Sequence, residues 1–249
     1  MREFRQLKTK KGRDESGLFI VEGEKFISEI PADWEIIRII ISEHFAQRSG
    51  MISYQSRADI EVVRNSQFSG LSDTVTPQGI MAVVKQKCWK FDQMISSGGF
   101  LLLGENLSDP GNIGTLIRTA TAAGASGMIL TKGSGDIYNP KVLRASAGAV
   151  LRLPVVTDVD ISETINRLKR IGYAIYATVV DGDTLPYDLD LRKDFCWLVG
   201  NESHGLSGEA VALASKRVCL PMARDVESLN ASVAGGIFLY EALRQRLIN

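Results

Sequence analysis

Short apolar runs alternate with polar or helical stretches along most of the chain. Four runs in the first third predict strands, at 18–23, 35–42, 60–63 and 79–84. Five later runs also predict strands, at 100–104, 127–131, 173–180, 195–200 and 217–222. Helical patterns separate most of the later runs, and these strands are almost continuously apolar. We therefore expect an α/β fold with a parallel sheet covered by helices on both faces.

The two groups of strands are separated by a stretch without periodicity. KQKCWKFDQMISSGG, residues 85–99, ends in two serines and two glycines, which is typical of a connection between domains. We predict an N-terminal domain at 1–90, a linker at 91–99 and a second domain at 100–249.

Charge is balanced over the whole chain but not at its start. The formal net charge is zero, so the overall field does not indicate a nucleic-acid-binding protein. Residues 1–13, however, hold six basic side chains and one acidic one. Such an arm suits RNA phosphates, and a solvated, partly frayed terminus is the open alternative. The candidate RNA-binding residues in this arm are Arg5, Lys8, Lys10, Lys11 and Arg13.

Composition argues against several other classes of protein. No stretch approaches the roughly 20 apolar residues of a membrane span, and the N-terminus lacks a signal-peptide core, so we expect a cytoplasmic protein without membrane contact. Cys88, Cys196 and Cys219 form no C-x-x-C pair, which predicts buried free thiols. With only two histidines in the chain, we expect no metal site.

A first candidate site follows the strand at 100–104. ENLSDPGNIGTLIRTATAAGA, residues 105–125, reads as a tight turn entering a helix, with Asn112 as N-cap and Gly124 as the C-terminal stop. Arg118 lies off the apolar stripe of this helix, so its side chain could reach back over the turn toward a phosphate or ribose. The alternative is a solvated arginine. The predicted buried stripe consists of Ile113, Leu116, Ile117 and Ala120.

The glycines of this turn do not form a dinucleotide-binding fingerprint. That fingerprint is G-x-G-x-x-G, whereas Gly111 and Gly114 give only G-x-x-G. A nucleotide-dependent oxidoreductase is therefore the weaker interpretation, and it would be revealed by NAD binding.

A second glycine-flanked loop, LVGNESHGLS, occupies residues 198–207. Gly200 permits close approach of a ligand to the backbone, and Glu202 could accept hydrogen bonds. Ser203 is out of register with a hydrolase nucleophile elbow. His204 is either a general base or an ordinary hydrogen-bonded loop residue.

The third segment, CLPMARDVESLNASVAGGIFLYEALRQR, covers residues 219–246 and reads as strand, loop and long helix. Ser228 and Asn230 could cap the helix or point into a site. Arg244 and Arg246 end the helix, where its dipole favours positive charge. The apolar face is predicted to belong to the core rather than to a cofactor pocket, and comprises Leu229, Val233, Ile237, Tyr240 and Leu243.

Together, these three segments resemble the motifs of the SpoU (TrmH) family of S-adenosylmethionine-dependent RNA ribose 2′-O-methyltransferases. NPKVLRASAGAVLRLPV is similar to the family's connecting segment, while FIVEGEKFISEI and TPQGIMAVV resemble its small, ribosomal-protein-like substrate-binding domain. The resemblance covers nearly the whole chain. It implies a SPOUT-type parallel-sheet domain with a C-terminal trefoil knot, which pairs as a homodimer.

The resemblance also implies roles for single residues. S-adenosylmethionine would lie near Gly200, Leu220, Met222 and Leu229. Arg118 would contact the target phosphate and 2′-hydroxyl. The other residues matching family motifs are Asn112, Asn230, Glu202 and Ser228: the two asparagines would orient the ribose and loops, and Glu202 would hold the local network. Arg244 and Arg246 match positions near substrate phosphate or the subunit interface.

The expected partner is RNA, with ribosomal RNA favoured over transfer RNA because of the added N-terminal domain. Unpaired or looped RNA is favoured over a rigid duplex, in which a 2′-hydroxyl is difficult to present. A protein of another class stays open as the alternative: one that keeps the fold and binds RNA but has lost catalysis.

Overall fold

Two separate β-sheets, each built from one group of predicted strands, organise the chain. The computed structural model describes residues 2–48, 54, 56–96, 98–223 and 227–248. All nine predicted strands are confirmed, although the last is shorter than expected. One additional strand, Val155–Val159, was not predicted, because its sequence VVTDV becomes polar toward its end.

Within the described residues, the first sheet has four strands in the order β1-β4-β2-β3. β4 runs antiparallel to both β1 and β2, and β2 runs parallel to β3. The strands are β1 Leu18–Glu22, β2 Ile36–Ser42, β3 Ile60–Val63 and β4 Ile80–Lys85. The helices of this part are α1 Arg2–Leu7, α2 Lys10–Ser16, α3 Glu24–Ser28, α4 Glu43–Arg48 and α5 Asn65–Leu71. The basic arm thus consists of two short helices.

The second sheet is parallel throughout, as predicted, with six described strands in the order β10-β8-β9-β5-β6-β7. Its strands are β5 Phe100–Gly104, β6 Gly127–Thr131, β7 Val155–Val159, β8 Ala174–Thr178, β9 Phe195–Val199 and β10 Lys216–Val218. The helices of this part are α6 Phe91–Ile95, α7 Pro110–Ala122, α8 Pro140–Ser146, α9 Ile161–Arg170, α10 Gly208–Leu213 and α11 Ala231–Leu247.

The strand order of this sheet locates a crevice. From β5 the chain proceeds outward through β6 to β7, and it then returns to place β8, β9 and β10 on the other side of β5. The direction of winding therefore reverses between β5 and β9. In open parallel sheets, ligands bind at the carboxyl ends of the strands at such a reversal.

The helix after β5 begins earlier than predicted. Asp109 is its N-cap, with a carboxylate that accepts a hydrogen bond from the Asn112 backbone N–H at 2.8 Å. Pro110 occupies the first turn, where its missing N–H costs nothing. The prediction that Asn112 caps this helix is therefore wrong, and its side chain is left for another role. The predicted buried stripe is confirmed, and Gly124 follows the helix with φ +78°.

The two sheets share one apolar core rather than being joined by a loose tether. The rings of Phe19 and Tyr138 lie 4.4 Å apart across the junction, and Trp34 Nε1 donates to the Leu151 carbonyl oxygen at 3.0 Å. The predicted linker contains α6, whose Met94 is buried against the second sheet. The proposed domain boundaries stay a prediction.

Four of the five residues predicted as the core face of the third segment are exposed, whereas Leu243 is partly buried against the core. Val233, Ile237 and Tyr240 are 51%, 39% and 52% exposed, and Leu229 just before the helix is also exposed. The residues that α11 buries are instead Ser232, Gly235, Phe238, Leu239, Glu241 and Ala242. A column of apolar side chains spaced by three and four residues therefore faces outward. We call Val233, Ile237 and Tyr240 the apolar stripe.

Two further expectations concern the thiols and the chain path. Cys196 is buried, but Cys88 is exposed, so the prediction of buried thiols is wrong for Cys88.

The trefoil knot stays a prediction. No helix among the described residues combines the length and the apolar character needed to cross a bilayer.

Candidate active site and adjoining cleft

Three side chains from the three sequence motifs meet at the crevice between β5 and β9. The Asn112 amide donates to Glu202 Oε1 at 3.0 Å, and its carbonyl oxygen accepts from Asn230 Nδ2 at 3.0 Å. Asn230 in turn caps α11, its oxygen accepting from the backbone N–H groups of Ser232 and Val233. Asn112 is therefore the centre of a network that fixes the motifs relative to one another.

Two more contacts, neither of them predicted from the sequence, join the first and second motif loops. The buried carboxylate of Glu105 accepts from the Ser207 backbone N–H at 2.8 Å. Asn201 Nδ2 donates to the Asn106 carbonyl oxygen at 2.8 Å. The sequence does give one sign of these contacts: Glu105 directly follows an apolar strand, and a charge buried there needs a partner.

Arg118 and Ser228 lie near this network without joining it. Arg118 is exposed on α7, six residues beyond Asn112 and so about 9 Å further along the helix axis. It makes no ion pair with any residue that the structure describes. Ser228 is exposed at the margin of the adjoining cleft. Their roles stay predictions.

A cleft of about 640 Å³ opens beside the network, and we call it the main cleft. The second and third motif loops form much of its wall, and Glu202 and Asn230 also line it. The four residues that the resemblance assigns to the cofactor all line this cleft, namely Gly200, Leu220, Met222 and Leu229.

Gly200 has a reason to be glycine that needs no ligand. A Cβ there would lie 2.1 Å from the Gly205 carbonyl carbon, because Asn201 and Gly205 pair through two backbone hydrogen bonds of 3.0 and 2.9 Å. The loop folds back onto Gly200, and this packing alone requires a glycine. The same closure gives the main cleft a fixed rim. The expectation that Gly200 lets a ligand approach the backbone stays a prediction.

The chemistry of the main cleft fits S-adenosylmethionine. Its volume lies within the usual 300–1,000 Å³ of small-molecule pockets. Leu220, Met222 and Phe238 supply apolar walls for an adenine ring, and Glu227 and Asp181 supply carboxylates that could accept hydrogen bonds or balance positive charge. Glu202 and Asn230 place the network around Asn112 at the rim of this cleft.

Arg13 is not available for RNA, which corrects one prediction. It is only 2% exposed; its Nε lies 2.8 Å from Asp136 Oδ2, and its Nη1 donates to the Leu7 carbonyl oxygen at 2.8 Å. Lys8 is half-buried and paired with Asp73 at 3.0 Å. The remaining candidates of the arm are exposed and stay predictions, namely Arg5, Lys10 and Lys11.

The two arginines at the end of α11 make internal contacts. Arg246 donates to the carbonyl oxygens of Leu191 and Lys193 at 2.9 and 2.7 Å, and it lies 5.0 Å from the Phe100 ring centroid. These contacts give Arg246 a structural role, and its predicted RNA contact stays a prediction. Arg244 is exposed but pairs with Glu241 at 2.7 Å, and its RNA contact stays a prediction.

The general-base role of His204 stays a prediction. His204 lies in the second motif loop, with its Nδ1 3.2 Å from Asn201 Oδ1, as expected of a hydrogen-bonded loop residue. Among the described residues, no three or more His, Cys, Asp or Glu side chains come together as a metal site.

Two family models cover most of the chain. Residues 99–240 match the SpoU rRNA Methylase family, and residues 1–82 match the MRM3-like substrate binding domain. The first match contains the three residues of the network, Asn112, Glu202 and Asn230.

Individual relatives match over nearly their full length. The chain is 29% identical over 241 residues to the 23S rRNA (guanosine(2553)-2'-O)-methyltransferase RlmP of Bacillus subtilis, covering 96% of this chain and 94% of that protein. It is 31% identical to the 23S rRNA (uridine(2479)-2'-O)-methyltransferase of Streptomyces viridochromogenes, covering 94% and 85%. The crystal structure of the SpoU methyltransferase AviRb from Streptomyces viridochromogenes with AdoMet matches with a TM-score of 0.90 at 28% identity, covering 100% and 99%.

Proposed function

Because the chain belongs to the SpoU rRNA methylase family, we propose that it transfers a methyl group from S-adenosylmethionine to a ribose 2′-hydroxyl of ribosomal RNA. The chain is an RNA 2′-O-methyltransferase that depends on S-adenosylmethionine. The observation that carries the proposal is the position of the Glu202–Asn112–Asn230 network on the rim of the main cleft.

The main cleft would hold the methyl donor, and the rim would hold the ribose. When bound, S-adenosylmethionine supplies an electrophilic methyl on sulfur, so that a C–O bond forms as the C–S bond breaks and sulfur keeps the electron pair. Asn112 and Asn230 keep the rim rigid, because each amide is fixed by two or more hydrogen bonds. A rigid rim holds the hydroxyl in line with the methyl group, and such orientation lowers the barrier to transfer.

Arg118 supplies positive charge next to the reacting oxygen. A guanidinium stays protonated in proteins, so Arg118 does not act as the base. It stabilises the negative charge that develops on the 2′-oxygen and binds the adjacent phosphate, while the hydroxyl proton passes to water. Its freedom from an ion pair with any described side chain leaves it available for this role.

Ribosomal RNA is favoured over transfer RNA by the N-terminal part of the chain. Both 23S rRNA methyltransferases match along nearly the whole chain, including the first sheet, and residues 1–82 match a substrate-binding domain. The exposed cations Arg5, Lys10 and Lys11 in that part suit RNA phosphates. A cytoplasmic location accords with this substrate and belongs to the same proposal.

The working form would be a homodimer formed through the apolar stripe. Three large apolar side chains exposed in one column are costly in water, and a second copy would cover them. A Cβ on Gly236 of α11 would lie 3.6 Å from Thr119, the neighbour of Arg118 on α7. A dimer through the stripe would thus place Arg118 at the edge of the interface.

The alternative, an RNA-binding protein without catalysis, predicts a different outcome in one experiment. The protein is incubated with labelled S-adenosylmethionine and separate pools of unmodified ribosomal and transfer RNA, and cofactor binding is measured by calorimetry on the same sample. Label in ribosomal RNA supports the proposal, and label in transfer RNA alone would change the substrate. RNA binding without cofactor binding or label would favour the alternative.

A further inference from the structure

A second groove lies at the junction of the two sheets, away from the main cleft. Its volume is about 260 Å³, and we call it the seam groove. The N-terminal side contributes Lys10, Asp14 and the segment 86–89, and the other side contributes the loop 134–138 and part of β7. Apart from Lys10, which is a candidate contact for RNA phosphate, these residues belong neither to the three motifs nor to the proposed reaction.

One loop separates the seam groove from the candidate active site. The loop after β6 faces the groove through Ser134 and Tyr138, and its other side contacts the first motif loop. The Gly135 backbone N–H donates to the Leu107 carbonyl oxygen at 2.8 Å, and the Asn106 backbone N–H donates to Thr131 Oγ1 at 2.9 Å. The wall of the seam groove is thus hydrogen-bonded directly to the loop that leads into the helix carrying Asn112 and Arg118.

The walls of the seam groove are held rigidly although they come from different parts of the chain. The buried Arg13–Asp136 ion pair joins the two sides, and the Tyr138 hydroxyl donates to the Lys87 carbonyl oxygen at 3.2 Å. Burial raises the pKa of Tyr138 to about 12, so this hydroxyl keeps its proton at neutral pH. A groove already formed in this way avoids the entropic cost of ordering its walls around a ligand.

The side chains of the groove combine an aromatic surface with charges of both signs. Trp89 is half-buried, and Lys87 Nζ lies 4.3 Å from the centroid of its ring. Lys10 is exposed at the margin, whereas Asp14 and Asp158 bring carboxylates. The carboxylates disfavour a phosphate inside the groove and favour groups that donate hydrogen bonds.

The backbone that carries the Asp158 carboxylate is irregular. Asp158 has φ +60°, which is uncommon for a residue with a side chain, and the Thr157 hydroxyl donates to its carboxylate at 3.1 Å. Aspartate adopts this conformation more readily than most side chains, and here it accompanies the irregular register between β6 and β7.

We propose that the seam groove binds one unpaired base of the RNA substrate, from a nucleotide close to the one that is methylated. The base packs on Trp89, and its exocyclic amino group donates to Asp14 or Asp158, as in recognition of single-stranded RNA by stacking and by base edges. Lys10 at the margin contacts the backbone phosphate. This inference rests on the proposed function, because it takes RNA as the substrate.

Tryptophan fluorescence of the full chain tests the proposal directly. The chain has three tryptophans, and Trp34 and Trp197 are buried, so a ligand in the seam groove affects Trp89 first. Titration with a single-stranded fragment of the RNA substrate should quench the tryptophan emission of the wild type but not that of Trp89→Phe. Absence of quenching in the wild type, at RNA concentrations that saturate methyl transfer, would overturn the proposal.

Kinetics separate this site from the methyl-transfer site. Trp89→Ala should raise the KM for RNA about 5- to 150-fold, the range for loss of one stacked base, without changing affinity for S-adenosylmethionine. Trp89→Phe should restore most of the loss, and Lys90→Ala, an exposed neighbour outside the groove, should behave as wild type. An unchanged KM in a folded Trp89→Ala protein that still methylates RNA would contradict base binding in the seam groove. It would leave the proposed methyl transfer unaffected.

The two hypotheses can also fail separately. Quenching through Trp89 by RNA, without methyl transfer to any RNA, would sustain the groove as an RNA-binding site and refute the proposed reaction. A free mononucleotide that quenches as tightly as the RNA fragment would overturn the proposal in favour of a small-molecule site.

Discussion

Asn112 donates a hydrogen bond to the carboxylate of Glu202 at 3.0 Å, across 90 positions of the sequence. Its amide oxygen is occupied at the same time by Asn230 at 3.0 Å. An amide offers both a donor and an acceptor, so Asn112 satisfies both neighbours at once, which an apolar side chain or an ionised carboxylate could not do. The contact therefore explains why an asparagine in the first motif sets the position of groups from the other two motifs.

Substitution of Asn112 should reduce methyl transfer more than it reduces binding. In Asn112→Asp, a second carboxylate would face Glu202 and the donated hydrogen bond would be lost, so the loops should separate. We expect kcat to fall about 100-fold, the scale of a displacement of about 1 Å, with a smaller effect on affinity for S-adenosylmethionine. Steady-state kinetics with calorimetry measures both. Thr121→Ala, at the far end of the same helix, is the control, and an equal loss in that variant would contradict the role of Asn112.

Removal of Arg13 should destabilise the whole protein. Arg13→Ala leaves the carboxylate of Asp136 largely buried without its partner, which typically costs about 3–5 kcal/mol. Arg38 pairs with Glu61 at a similar distance but in solvent, so Arg38→Ala should cost at most about 1 kcal/mol. Urea unfolding of both variants makes the comparison. Equal losses of unfolding free energy in the two variants would mean that burial of the Arg13–Asp136 pair does not affect stability.

The apolar stripe should govern the oligomeric state. Ile237→Glu places a charge in the middle of the stripe, so a dimer formed there should dissociate into folded monomers. Ile171→Glu is the matched control, because Ile171 is also about half exposed but lies after α9. Sedimentation velocity should show a dimer for the wild type and the control. A dimeric Ile237→Glu protein would place the interface elsewhere.

The contribution of the Glu241–Arg244 pair should disappear in acid. Hydrogen bonds from the Arg244 guanidinium hold the pKa of Glu241 below its ordinary value of 4.5. A lowered carboxyl pKa in the folded state stabilises the fold above the unfolded-state pKa, and that stabilisation is lost as pH falls through the folded-state value. The wild type should therefore exceed Arg244→Gln in free energy of unfolding at pH 7, with the difference shrinking below pH of about 4.5. A difference independent of pH would exclude this origin.

Local patterns in the sequence were sufficient for most of the fold. Continuous apolar runs predicted the strands of the parallel sheet, since burial on both faces leaves little room for polar residues. They did not predict β7, because Thr157 and Asp158 make this edge strand polar. The helix after β5 was predicted with its buried stripe, but its start was misplaced, because both Asp109 and Asn112 can cap a helix.

The sequence predicted residues of the candidate site only where the chemistry of a side chain and the order of the motifs pointed to the same role. Asn112, Glu202 and Asn230 were identified by resemblance, and the structure brings them into contact. Arg13 was misinterpreted because its partner Asp136 lies 123 positions away, and a basic segment gives no sign of such a pairing. The outward face of α11 was also misassigned. An apolar stripe indicates burial against something, and the sequence does not distinguish the same chain from a second copy.

The most direct test of the account is the rate of methyl transfer from labelled S-adenosylmethionine to unmodified ribosomal RNA by the wild type and by Arg118→Ala. The RNA is then digested to nucleosides to locate the label. We predict label on a ribose 2′-oxygen for the wild type and at least a 100-fold slower reaction for Arg118→Ala, on the scale found for loss of a group that stabilises a developing oxyanion. Transfer at the wild-type rate by Arg118→Ala, or label on a base instead of a ribose, would contradict the account.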